Sequence, residues 1–133
     1  MSEKSAAQKL LIKPGGQVRL INPPAQIIFL LDGLPDGTVL INDAAGPNAV
    51  VPADVLVLFA NGKTDLETLL PGLRTALTAR SILWIAYHKG TSRIKTDINR
   101  DTINAYAKTI GLQGVAMVSL DEDWSALRLK LIA

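Results

Sequence analysis

The segment from His88 to Lys95 holds the side chains best suited to bind a ligand. It contains an imidazole, three cations and two hydroxyls, namely His88, Lys89, Thr91, Ser92, Arg93 and Lys95. Cations and hydroxyls together suit a phosphate or a carboxylate. The segment follows an apolar run and leads to a helix start, the place where open α/β sheets bind ligands and where anions are favoured. The pattern therefore predicts a site for a small anion.

Trp124 and Ser125 extend this candidate site, because they begin the last apolar run beside an acidic turn, Asp121 to Asp123. The full set of candidate ligand-binding residues is His88, Lys89, Ser92, Arg93, Lys95, Trp124 and Ser125. Two alternatives stay open. The basic segment could be a solvated loop whose cations pair with nearby acids, and Trp124 could pack over the sheet.

Catalysis by His88 as an acid or base would need an orienting partner. For a lone histidine a structural role is favoured, so no catalytic residue is predicted.

The composition excludes several classes of site. The chain has no cysteine and one histidine, which rules out disulfides, thiol nucleophiles, thiolate zinc sites and clusters of histidine ligands. Asp121 and Asp123 offer two carboxylates, but a Mg²⁺ or Ca²⁺ site needs further ligands that the sequence does not identify. We predict neither a metal nor a cofactor.

Size and charge indicate one cytoplasmic domain over residues 1–133. With 48% hydrophobic residues, the chain can bury a core without disulfides. A net charge of +2 is too small to attract nucleic acid or an anionic membrane. The apolar runs are far shorter than the roughly 20 residues of a membrane span. The run Ile27 to Leu31 could support a homo-oligomer, although burial in the domain explains it more simply.

Six short runs rich in Val, Ile and Leu predict β-strands. They are Val18–Ile21, Val39–Ile41, Val55–Phe59, Ile82–Tyr87, Val115–Leu120 and Trp124–Leu131. The first five mostly lack polar alternation, as parallel strands covered on both faces do. The last alternates leucine with Arg128 and Lys130 and follows its predecessor after three residues. It is predicted to be an antiparallel edge strand that pairs with Val115–Leu120.

Capping signals place helices between the strands. Asn99 and Gly111 bound one helix, and a capping box of Thr64 and Glu67 opens another that Pro71 should kink. The predicted helices are Ala25–Asp32, Thr64–Leu77, the segment between Asn99 and Gly111, and a weaker turn over Ser5–Leu11, with a loop from Asp43 to Ala53. Alternating strands and helices indicate a three-layer, Rossmann-like α/β fold with a mostly parallel sheet.

The loop after the first predicted strand, Asn22-Pro23-Pro24-Ala25-Gln26, argues against ordinary nucleotide binding. Its prolines lack the N–H groups that a glycine-rich loop offers to a phosphate. Asn61-Gly62-Lys63-Thr64 ends like a phosphate-binding loop but lacks the earlier glycine, and we interpret it as a turn and helix cap.

Several short motifs in this order resemble a bacterial family of small α/β proteins, a domain of unknown function. They are Ile12-Lys13-Pro14-Gly15, Leu69-Leu70-Pro71, Leu83-Trp84-Ile85 with Lys89, Thr96-Asp97 with Arg100-Asp101-Thr102, and Trp124-Ser125-Ala126-Leu127. The resemblance implies a Rossmann-like fold similar to a trimmed methyltransferase core. It implies no activity, substrate or catalytic residue.

Two functions follow as expectations. The leading one is a non-catalytic binding or interaction protein on a degenerate methyltransferase-like fold, with a small anion as its ligand. The alternative is a divergent methyltransferase or other small-molecule transferase that uses Lys89, His88 and an acid from Asp121 to Asp123. We also expect at least one salt bridge or charge-assisted hydrogen bond in which Lys89 or Arg93 meets Asp121 or Asp123, with Trp124 packed close by.

Overall fold

The strands form one mixed sheet. The computed structural model of the protein describes residues 6–22, 34–43, 54–74, 77, 81–90, 96–120 and 123–132. The strands are β1 (Gln17–Ile21), β2 (Val39–Asp43), β3 (Val55–Phe59), β4 (Ile82–His88), β5 (Leu112–Ser119) and β6 (Trp124–Leu131). Their order across the sheet is β2-β1-β3-β4-β6-β5, with β1 to β4 parallel and β6 antiparallel to both its neighbours. The predicted fold class, a mostly parallel sheet with an antiparallel last strand, is confirmed.

The predicted edge position of β6 is wrong. The strand pairs with β5 as expected, but it also pairs with β4, so β5 is the outer strand. β4 and β5 are therefore not neighbours in the sheet. The first four residues of β6, Trp124 to Leu127, are all buried, and Arg128 stands opposite Trp84 in the register. The alternation in the sequence reflects the solvent-exposed end of β6, near Lys130. It does not reflect a solvent-exposed face along the whole strand.

Three helices are seen in the described residues: α1 (Ala6–Lys9), α2 (Lys63–Arg74) and α3 (Arg100–Thr109). The predicted cap of α3 is confirmed, because the Asn99 side chain accepts the Thr102 N–H at 2.9 Å and the Thr102 hydroxyl accepts the Asn99 N–H at 2.7 Å. Gly111 ends this helix region with a φ of +83°, a conformation that favours glycine. None of the described helices is long and apolar enough to span a membrane.

The predicted capping box of α2 is wrong. The helix begins at Lys63, one residue before Thr64, and the Lys63 N–H donates at 2.7 Å to the carboxylate of Asp97, which is remote in sequence. A side chain from another loop therefore provides the cap that was expected from within the helix. Pro71 lies inside the helix, which continues to Arg74.

Two sequence predictions fall mainly where the structure gives no description. The predicted helix Ala25–Asp32 lies outside the described residues. The predicted loop from Asp43 to Ala53 also does, except for Asp43, which is the last residue of β2.

Hydrophobic side chains cover both faces of the sheet. On one face, α2 and α3 contribute Leu66, Leu70, Leu73, Ile103 and Ala107, which are at most 1% exposed. On the other face Trp84 packs with Leu10 and Ile12 of the N-terminal segment. The indole N–H of Trp84 donates to the Leu10 carbonyl at 3.0 Å, so this bond joins the N-terminal segment to the middle of the sheet.

Replacing Trp84 tests this joint. Trp84→Phe keeps an aromatic ring but leaves the Leu10 carbonyl without its donor, which should lower the free energy of unfolding by about 1–3 kcal/mol. Trp84→Ala should cost about 3–5 kcal/mol, because it also opens a cavity. Urea unfolding followed by circular dichroism measures both.

Val39→Ala is the control, because Val39 is 50% exposed and its loss should change stability by less than about 0.5 kcal/mol. A Trp84→Phe variant as stable as this control would show that the bond to Leu10 contributes little.

Candidate functional site

The carboxyl ends of the parallel strands bring the candidate residues to one edge of the sheet. β4 ends at His88, and the antiparallel β6 begins at the same edge, which places Trp124 opposite His88 and Ser125 opposite Tyr87. Four predicted site residues, His88, Lys89, Trp124 and Ser125, are therefore brought together. The other three, Ser92, Arg93 and Lys95, lie outside the described residues.

His88 and Trp124 face the side of the sheet that holds Trp84. Their rings are in contact with centroids 4.0 Å apart and planes tilted by 34°, and the Trp124 ring meets Phe59 edge-on at 5.2 Å. Nε2 of His88 lies 3.1 Å from Oδ1 of Asn61. His88 is 3% exposed and Trp124 is 6% exposed, so both side chains are held in packing contacts and present little surface to a ligand.

Lys89 and Ser125 lie at a different feature, an open cleft of about 370 Å³. Its lining residues are Tyr87, Lys89, Gly90, Asn99, Arg100, Asp101, Met117 and Ser125. The cleft joins the end of β4 and the start of β6 to the N-terminus of α3. In the described part of the molecule, this is where cations and hydroxyls of the kind that bind an anion line a common space.

Lys89 meets the acidic turn through the main chain, because its N–H donates to the Asp123 carbonyl at 2.8 Å. The Lys89 ammonium donates to the Ser119 hydroxyl at 2.5 Å. Arg93 and Asp121 lie outside the described residues, and the side-chain pairing of the basic loop with the acidic turn stays a prediction.

Arg100 adds a second cation to the cleft. Its Nε lies 3.4 Å from Oδ1 of Asp101, and the two side chains are 61% and 84% exposed. Because the capping box uses the N–H groups of Asn99 and Thr102, the first-turn N–H groups of Arg100 and Asp101 have no acceptor among the described residues.

Asn22 directly follows β1, which pairs with β3 on the side away from β4. It has a φ of +56°, a conformation that asparagine tolerates better than most residues and that glycine often supplies. Its side-chain amide donates to the Phe59 carbonyl at 2.9 Å and to Asp65 at 3.3 Å, which fixes the end of β1 against β3. The rest of this loop, residues 23–33, lies outside the described residues. That the loop lacks N–H groups suited to a phosphate therefore stays a prediction.

Asp43 is the last residue of β2 and stands beside Ile21, the last residue of β1, in the register. Sequence reasoning placed it at the start of a loop, whereas the structure makes it the end of a strand.

Tyr87 and Arg100 line the cleft but were not among the predicted site residues. Tyr87 alternates with Trp84 and His88 along β4, which indicates that it faces the opposite side, and Arg100 directly follows the predicted cap Asn99. In the described part of the chain, no group of three or more His, Asp or Glu side chains is placed to hold a metal ion.

Comparisons with solved structures show what this fold is. No family model and no curated protein matches the chain. It superposes on the mitomycin 7-O-methyltransferase MmcR with a TM-score of 0.63 and 12% identity over 96% of this chain and 53% of that one. A TehB-like SAM-dependent methyltransferase from Corynebacterium glutamicum gives 0.60 and 12% over 98% and 89%. The fold is that of Rossmann-like methyltransferases, as the sequence resemblance implied.

A third neighbour is LepI, solved in complex with SAH and a substrate analogue, with a TM-score of 0.56 and 20% identity over 94% of this chain. The chain spans 53% of MmcR and 38% of LepI. At these identities the likeness establishes the fold alone.

Substituting His88 tests its packing role. His88→Phe keeps a ring against Trp124 and loses the contact with Asn61, which should cost about 0.5–1.5 kcal/mol. His88→Ala also removes the stack and should cost roughly 2–5 kcal/mol, in the range of other truncations of large buried side chains. Urea unfolding measures both, and a fully stable His88→Ala variant would contradict the packing role.

The stability of the folded chain at alkaline pH should depend on the ionisation of Tyr87. Burial raises the pKa of Tyr87 above 10.0, with the Asp101 charge adding to the rise and Arg100 opposing it. Burial, with Glu67, also raises the pKa of Tyr106. The folded state therefore holds these protons more tightly than the unfolded state, so the contribution of the two tyrosines to stability should be complete below about pH 10 and be lost as the pH rises above it.

Removing Tyr87 isolates its share of this fall. Tyr87→Phe should make the decline in melting temperature above about pH 10 shallower, because one of the two raised groups is gone. Tyr106→Phe is the matched variant, and melting curves followed by circular dichroism measure both. Coincident profiles for Tyr87→Phe and the parent chain would contradict the assignment.

Proposed function

We propose that the chain is a divergent methyltransferase, or another small-molecule transferase of the same fold, that binds S-adenosylmethionine across the carboxyl ends of β1, β2 and β3. The observation that carries the proposal is the superposition of 98% of the chain on a SAM-dependent methyltransferase. Open α/β sheets bind ligands at the carboxyl ends of their strands, at the point where the strand order reverses. In this sheet β1 lies between β2 and β3, so that point is the end of β1.

The residues at the end of β1 fit the nucleoside half of this ligand. Asp43 is beside Ile21 in the register, at the end of the strand where doubly wound folds place an acid that accepts hydrogen bonds from ribose hydroxyls. Asn22 supplies the positive φ with which a tight turn can leave the strand. When bound, S-adenosylmethionine would supply an electrophilic methyl group.

Pro23 and Pro24 bear on which nucleoside ligand is favoured. They remove two N–H donors from the loop after β1, and such donors matter most for a pyrophosphate. S-adenosylmethionine carries no phosphate. The prolines therefore argue against a dinucleotide more strongly than against a methyl donor.

Isothermal titration calorimetry tests the proposal. The chain should bind S-adenosylmethionine with a micromolar Kd, and Asp43→Asn should weaken binding by about tenfold or more, since it removes a charged acceptor. Asp36→Asn is the control, because it removes the same charge from an exposed position before β2. No heat of binding at millimolar ligand, or equal affinity in Asp43→Asn and the parent chain, would contradict the proposal.

A second candidate is the non-catalytic small-anion binding protein that the sequence favoured. The specific observation in its support is the cleft, where Lys89 and Ser125 lie with Arg100 at the start of α3. The sequence neighbours of Lys89, namely Ser92, Arg93 and Lys95, would add charge and a hydroxyl to such a site. His88 and Trp124 would support it by packing on the opposite face of the sheet. Loss of S-adenosylmethionine binding together with retained anion binding would favour this candidate.

A further inference from the structure

The cleft beside α3 has a charge that selects among anions. Its described lining carries two cations, Lys89 and Arg100, and one carboxylate, Asp101. The net charge of this described lining is one positive charge, which balances a carboxylate and leaves a phosphate dianion one charge short.

Arg100 has the geometry that carboxylates use. A guanidinium presents two parallel N–H donors to a carboxylate, and such bidentate contacts are among the stronger hydrogen bonds in proteins. The ion pair that Arg100 makes with the neighbouring Asp101 is a single, exposed contact. A ligand carboxylate can therefore engage Arg100 without breaking a buried ion pair.

Two buried hydroxyl groups form the polar floor of the cleft. Tyr87 is 6% exposed and Ser125 is 8% exposed, and they stand opposite each other in the β4–β6 ladder. The Tyr87 hydroxyl donates to the sulfur of Met117 at 3.1 Å, a weak acceptor, and the Ser125 side chain is a second hydrogen-bond partner of Tyr87. A ligand oxygen is a better partner for that hydroxyl than a thioether.

We infer that this cleft binds the carboxylate group of a small organic acid through Arg100 and Lys89, with Tyr87 and Ser125 contacting the remainder of the ligand. The inference rests on the proposed function, because it takes this end of the sheet to bind the acceptor of the transferred group. It specifies that the acceptor is a carboxylic acid with one negative charge.

Fluorine NMR with para-fluorobenzoate tests the inference without a methyl donor. Para-fluorobenzoate should bind and para-fluorobenzamide, its neutral counterpart, should not. Para-fluorophenyl phosphate should bind more weakly than the benzoate, despite its larger charge. Arg100→Gln and Lys89→Gln should each weaken benzoate binding by about tenfold, the loss expected for one charge-assisted hydrogen bond.

Lys108→Gln is the matched control, because it removes one exposed positive charge from the last turn of the same helix. It should leave benzoate affinity within about twofold, and circular dichroism should show that all variants are folded. Equal affinity in Arg100→Gln and Lys108→Gln, tighter binding of the phosphate, or no benzoate binding at about 10 mM would each overturn the inference.

The two proposals fail separately. Benzoate binding that depends on Arg100, in a chain that does not bind S-adenosylmethionine, would retain the carboxylate site and remove the methyltransferase. Binding of S-adenosylmethionine without benzoate would do the reverse.

Discussion

The antiparallel ladder between β4 and β6 decides where every described candidate residue lies. By pairing His88 with Trp124 and Tyr87 with Ser125, it divides them between the two faces of the sheet. The aromatic pair lies on the face of Trp84, and the hydroxyl pair lies on the face of α3. The same pairing brings the Asp123 carbonyl to the Lys89 N–H and leaves the Lys89 ammonium to reach Ser119.

Contacts between loops complete this edge. Asp97 accepts the first N–H of α2, and the neighbouring Thr96 hydroxyl donates to the Asn61 carbonyl at 2.7 Å. Asn61 in turn contacts His88, and its N–H donates to Asp65 at 3.0 Å. The turn after β3 is therefore held by side chains from α2, β4 and the segment before α3. Such mutual support keeps the carboxyl ends of β1, β3 and β4 in a fixed relation, which a binding edge requires.

The two halves of the edge differ in chemistry. The half formed by β1 and β2 ends in Asn22 and Asp43, residue types that suit the hydroxyl groups of a nucleoside. The half formed by β4, β6 and α3 carries Lys89 and Arg100, which suit an anion. In the function proposed above, the first half would hold the nucleoside ligand and the second half would hold an anionic acceptor.

The sequence by itself determined the elements and the fold class. Apolar runs marked all six strands, with the bounds of β3 and β6 correct to the residue, and Asn99 and Gly111 marked α3. These features are local, because strand burial, helix capping and positive φ depend on neighbouring residues. The tertiary structure alone decided the insertion of β6 between β4 and β5, the capping of α2 by Asp97, and the meeting of Tyr87, Lys89 and Arg100 in one cleft. These features depend on which strands become neighbours. An alternating pattern such as that of β6 indicates which face of the strand is buried, but it does not indicate which strands pair with its two edges.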